Sequence, residues 1–158
     1  MKYTVRFAHM EKAPAWKVGD TINSGDVIGK MGTSGQSTAA HLHTDCVHGF
    51  QDTRYTLRDI EGGAPGPAPR QMNLFIDKDL FRETIVITTH YADPVYQSAL
   101  GKVHLGYDVV PANRKEPGAP LLIYWNRSLP GKVLKVDDDP KGYGHCLYVG
   151  FEAYGGVQ

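Results

Sequence analysis

The chain has 158 residues, enough for one domain with a real core and too few for two generous ones. Lys plus Arg and Asp plus Glu both number 17, so the net charge is zero and nothing steers the protein to nucleic acid or an anionic membrane. Gly at 18 and Pro at 10, set among short runs of Val, Ile, Tyr and Thr, favour a turn-rich, mostly β fold over a helical one.

The opening "MKYTVRFAHM" lacks the apolar h-region of a secretory signal, and no apolar run approaches a membrane span, so a soluble product not exported by its own signal is expected. Residues 3–9, "YTVRFAH", alternate as a strand does. Residues 16–32, "WKVGDTINSGDVIGKMG", read as short strands split by Gly-Asp and Ser-Gly turns, and 41–47, "HLHTDCV", form another strand. Residues 61–73, "EGGAPGPAPRQMN", have no period that buries a face and read as a long exposed loop. Residues 78–91 begin with one possible helical turn and run into a β-branched strand, and 104–111, "HLGYDVVP", resume as a strand after a short gap. "GAPLLIYWN", "GKVLKVDDD" and "GHCLYVGFEAY" complete a second β block, with a turn in "DDDPKGYG" at 137–144. Cys46 and Cys146 are too few for a disulfide framework and belong to no C-x-x-C pair, so both are expected to be buried thiols.

The histidines carry the chemistry. Strand alternation puts His41, His43 and Asp45 on one face and Leu42, Thr44 and Cys46 on the other. Two imidazoles about 7 Å apart at Cα can share a metal and its water, one as ligand and the other acting on the water. A bare H-x-H is equally a surface strand with two solvated histidines. In "HLGYD", His104 and Asp108 would lie about 13 Å apart along an extended strand, so sharing one ion requires a bend, which Gly106 permits. Taken together, His43, His104 and Asp108 make a His₂Asp set with one position open for water, the pattern of catalytic zinc. His41 and His9 then remain for catalysis.

These stretches resemble a known family. "YTVRFAHM…VGDTINSGDVIGKMGTSGQSTAAHLHTD" is similar to the second half of the lysostaphin/LytM-type zinc endopeptidases of bacterial cell walls. "ITTHYADPVY…GKVHLGYDVVP…GAPLLIYWNRSLPGKVLKVDDDPKGYGHCLYVGFEA" is similar to their first half, with the H-x-G-x-D motif. The halves stand in reversed order. Joining "LYVGFEAYGGVQ" to "MKYTVRFAHM" restores a strand, a Gly-Gly turn and a strand, so the sequence reads as circularly permuted at a hairpin tip, a cut that exposed turns tolerate. The resemblance implies a single antiparallel β domain over 1–158, with 1–47 as the family's second half, 84–158 as its first and 48–83 as a connecting loop region. It predicts that residues 1–5 and 150–158 lie on adjacent antiparallel strands, within a monomer or across a strand-exchanged dimer.

The same resemblance implies one Zn²⁺ per chain on His43, His104 and Asp108. His41 and His9 match the two histidines that orient or deprotonate the water and stabilise the oxyanion. His41 is expected to be the base and His9 an N–H donor. Tyr91 is a weaker match to an aromatic residue near the substrate groove, and Asp45 to an acidic position after H-x-H that supports the site. His48, His90 and His145 are expected to be solvated or hydrogen-bonded at the surface. The implied activity is hydrolysis of amide bonds in peptidoglycan stem peptides or cross-bridges, in a setting such as a phage lysin or tail-associated lytic domain acting at the bacterial wall. The competing expectation is a catalytically silent domain of the same fold that binds wall peptide or regulates another hydrolase.

Overall fold

The structure is a computed structural model, and it describes residues 2–35, 37, 39–50, 85–90, 93–101, 104, 106–112, 122–125 and 127–152. The described strands are β1 (Lys2–Met10), β2 (Thr21–Ile22), β3 (Asp26–Lys30), β4 (Leu42–His48), β5 (Ile85–Thr89), β6 (Tyr107–Pro111), β7 (Leu122–Trp125), β8 (Gly131–Asp139) and β9 (Gly144–Glu152). Seven of them form one sheet in the order β2-β8-β9-β1-β4-β6-β5, and β3 and β7 form a separate two-stranded ribbon. Every pairing is antiparallel. The mostly β fold expected from the composition, with the antiparallel pairing that the resemblance implies, is therefore the one observed.

Strand β1 lies at the centre, and its alternation divides the sheet into two faces. Tyr3, Val5 and Phe7 share one face with Cys46 and Thr44 across β4 and with Phe151, Val149 and Leu147 across β9. Ile28, Ile123 and Trp125 of the ribbon join this face in one buried cluster, with the Trp125 ring edge-on to Phe151 at 5.9 Å. The hydrophobic core sits there. The opposite face carries Arg6 opposite Asp45 and Ala8 opposite His43, so the residues the sequence marked for chemistry gather on the side turned away from the core. Both thiols are buried, as expected.

Lys2 pairs with Glu152 and Val5 with Val149, so residues 2–5 and 150–152 do lie on adjacent antiparallel strands. Two readings need correction. Between β5 and β6 the sequence was read as a gap, but a helix α1 (Pro94–Leu100) stands there. Its signals are legible in hindsight: Asp93 caps it by accepting hydrogen bonds from the N–H of Val95 and Tyr96, Pro94 opens it, and Gly101 closes it in the left-handed conformation at φ 71°. Its seven residues bury none of their side chains, so no apolar period advertises it. Asp93→Ala is expected to loosen the helix start, read as a small drop in melting temperature. Strand β6 begins at Tyr107 rather than at residue 104, because the chain bends at Gly106. The loop at 61–73, the helical turn before β5 and Tyr91 lie outside the described residues.

Candidate metal centre

His43 and Asp108 are direct cross-strand partners on β4 and β6, so the sheet register alone brings imidazole and carboxylate together. His104 reaches the same carboxylate because the backbone turns at Gly106. A Cβ there would sit 2.3 Å from the Thr44 carbonyl oxygen and 2.7 Å from the Asp45 Cβ, so only glycine lets the bend press against β4. The result is a cluster of His43, His104 and Asp108 whose candidate ligand atoms all lie within 4.8 Å of one another, the two histidines being buried.

Hydrogen bonds fix which nitrogens face the centre. His104 Nδ1 lies 3.0 Å from the carbonyl oxygen of His90, a pure acceptor, so Nδ1 carries the proton and Nε2 is bare in the neutral ring. That Nε2 lies 3.1 Å from Asp108 Oδ1. His43 Nε2 lies 3.0 Å from Asp45 Oδ2 and Nδ1 lies 3.0 Å from Asp108 Oδ1, so each ring nitrogen faces a carboxylate, and a neutral ring that donates to Asp45 turns a bare Nδ1 to Asp108. Two nitrogen lone pairs thus converge on one carboxylate oxygen. Such an arrangement is repulsive unless a cation, a proton or a metal, sits between them. Tetrahedral zinc with bonds of about 2.0 Å separates its ligand atoms by about 3.3 Å, close to what is observed, and each histidine has its other nitrogen anchored as metal-bound imidazoles usually do. The donor set fits zinc.

The electrostatics agree. Burial would raise the Asp108 carboxyl, but the histidines His104 and His43 hold it well below the usual carboxylate range. Burial would lower His43, but its hydrogen bonds with Asp108 and Asp45 and their charges raise it above the ordinary histidine value. Asp45 is fully buried, and despite that burial Arg6 and His43 hold its carboxyl down to about 2.

His41 and His9 flank this centre. Their rings lie 4.8 Å apart, and the His9 ring is 6.2 Å from that of His43. Strand alternation would put His9 on the core face, opposite to Ala8. A bulge between Phe7 and Met10 in the pairing with β9, and a left-handed φ of 58° at His9, turn its side chain to the His43 side instead. The His9 N–H donates to the Tyr143 carbonyl oxygen at 2.8 Å, and its Nδ1 donates to the Ser34 carbonyl oxygen at 2.7 Å. His41 Nδ1 likewise donates to the Ala39 carbonyl oxygen at 2.8 Å. Both neutral rings therefore keep Nε2 as an acceptor. Desolvation pushes His9 down to about 4, which leaves it neutral near pH 7. In the neutral ring the one N–H of His9 is committed to Ser34, so Nε2–H is available toward the site only after the ring takes up a proton.

Residues 1–54, which hold His9, His41, His43 and the bulge, match the family model described as Peptidase family M23. The match spans about a third of the chain, and no solved structure matches it. The matched segment thus supplies one of the three candidate ligands and both flanking histidines. Strand β6 and the residues before it supply the other two ligands, His104 and Asp108, and complete a His-His-Asp set of the kind a metallopeptidase uses.

Around this centre the structure adds residues that the sequence did not mark. Tyr96 of α1 sets its ring 4.6 Å from that of His104. Tyr143, in the turn after β8, sets its ring 4.9 Å from that of His43 and lies under the Arg6 guanidinium at 4.3 Å. Neither tyrosine sits in a motif, and both arrive through turns whose course no local pattern fixes. Cys46 lies on the core face and is outside the His-His-Asp cluster. His90 contributes only its backbone carbonyl, and His145 faces Asp138 at 3.4 Å. The side chain of His48 is outside the described set.

Proposed function

We propose that the protein is a zinc-dependent endopeptidase that hydrolyses amide bonds in peptidoglycan stem peptides or cross-bridges, with one zinc held by His43, His104 and Asp108. The observation that carries this reading is the convergence of His43 Nδ1 and His104 Nε2 on Asp108 Oδ1, each ring anchored on its far side. The match of residues 1–54 to a metallopeptidase family supports it. A zinc held there supplies a water acidified to a pKa of about 7 and a Lewis acid toward the scissile carbonyl.

The chain's own groups then divide the proton work. Nε2 of His41 and Nε2 of His9 are both acceptors in the neutral rings, so either is placed to take the proton of the attacking water. A ring that has taken it gains an Nε2–H to hold the developing oxyanion, a contribution of about 3 kcal/mol, or to pass the proton to the leaving amine. No covalent intermediate is required, and Cys46 and Cys146 are bystanders. His9→Asn separates binding from chemistry, because asparagine tolerates the left-handed backbone at this position. The variant is expected to hold as much zinc as wild type while releasing amino groups from purified cell walls about 100- to 1000-fold more slowly. Failure of the zinc-loaded wild type to release amino groups from any wall type would overturn the proposal.

We also infer that the connectivity is a circular permutation. Support comes from the Lys2–Glu152 register, which leaves β9 and β1 as an open hairpin, and from the confinement of the M23 match to residues 1–54 while the H-x-G-x-D motif follows at 104–108.

A further inference from the structure

We infer that Arg6 is a positioning residue for the metal centre, acting through Asp45 to fix the ring of His43 with Nδ1 turned toward Asp108. The inference rests on the zinc reading above but concerns a residue outside the ligand set and outside the flanking histidines. Arg6 is 1% exposed on β1, directly opposite Asp45 on β4 and next to Tyr148 on β9. A charge so deep in a sheet is costly, and a well-packed apolar residue would serve stability as well or better.

What the pair adds is direction. Arg6 Nε donates to Asp45 Oδ1 at 2.9 Å, and Nη2 donates to Asp45 Oδ2, so the guanidinium fork sets the plane of the carboxylate. That plane aims Oδ2 at His43 Nε2, 3.0 Å away, and the ring so held presents Nδ1 to Asp108. The guanidinium also covers the Tyr143 ring, which in turn meets the rings of His43 and His9, so the His43 imidazole is restrained at its edge and on its face. Lysine at position 6 would keep the charge and lose the fork. A carboxylate held only by a point charge is free to rotate, and the His43 tautomer and orientation are free with it.

The test measures zinc affinity by competition with a chromogenic chelator, and the visible absorption of the Co²⁺-substituted protein, in wild type, Arg6→Lys and Asp45→Asn. In each variant zinc binding is expected to weaken about 10- to 100-fold and the cobalt bands to shift, at temperatures where the metal-free protein is folded. A merely structural pair would lower the melting temperature and leave both readouts alone, so wild-type affinity and cobalt bands in the folded variants would overturn the inference. Should the variants not fold, nitrogen-15 NMR of the metal-free wild type decides. A protected His43 Nε2–H, in the neutral or the protonated ring, supports the inference, and a ring that lacks it or is averaged overturns it. Wild-type protein that binds no zinc would instead overturn the zinc reading, with the tautomer measurement still deciding the role of Arg6.

Discussion

His43→Ala is expected to hold no zinc where the wild type holds one per chain, and to lose wall-hydrolysing activity by about a thousandfold or more, equivalent to about 4 kcal/mol of transition-state stabilisation. The size of the effect follows from position. His43 is the side chain that joins the two halves of the site: it pairs with Asp108 across the sheet, and its far nitrogen is anchored on Asp45. Removing it leaves His104 and Asp108, four residues apart on one bend, as an incomplete site. The fold is expected to survive, because Asp45 keeps the Arg6 fork when its hydrogen bond from His43 is gone. Elemental analysis and amine release, measured together, check both parts. His145→Ala, which removes an imidazole facing Asp138 rather than the centre, is expected to leave zinc content unchanged. Full zinc occupancy in His43→Ala would place the metal elsewhere.

The ligand set was legible in the sequence because each part lies in a short local pattern. H-x-H on an alternating strand puts its two histidines on one face, and a glycine between His104 and Asp108 marks where the chain can turn. The strands were legible for the same reason, since β-branched residues and Gly, Asn and Asp turns are local signals. What surrounds the candidate ligands was legible only in part: His9 and Asp45 were marked, but not the path that brings them to the site. His9 reaches the site only because a bulge breaks the strand's alternation, and strict parity would have sent it into the core. Arg6 reads as an unremarkable charge in "YTVRFAH" until the register pairs it with Asp45, thirty-nine residues away. Helix α1 buries no side chain and so leaves no period to read, although its capping residues were in view. The tautomers of His41 and His9, which decide what each ring can do with a proton, depend on the carbonyls of Ala39 and Ser34 and therefore on the path of a loop.

Gly106→Ala is expected to be the most damaging substitution that touches no candidate ligand. Strand β4 and the bend before β6 approach so closely that a new Cβ would meet the Thr44 carbonyl oxygen at 2.3 Å and the Asp45 Cβ at 2.7 Å. Neither neighbour can give way cheaply: one is backbone in the central sheet, and the other carries the buried carboxylate held by Arg6 and His43. Overpacking of this kind costs about 3 kcal/mol, which for a domain of this size corresponds to a fall of about 10 °C in melting temperature. The functional loss is expected to exceed the loss of stability. Pushing the bend away from β4 moves His104 and Asp108 together relative to His43, and shifts of a few tenths of an ångström matter where the separations to Asp108 Oδ1 are 3.0 and 3.1 Å. Zinc affinity measured well below the variant's melting temperature separates the two effects. Weakened affinity in a folded protein marks a displaced ligand pair, whereas wild-type affinity would mean that β4 yields and carries His43 along with the bend.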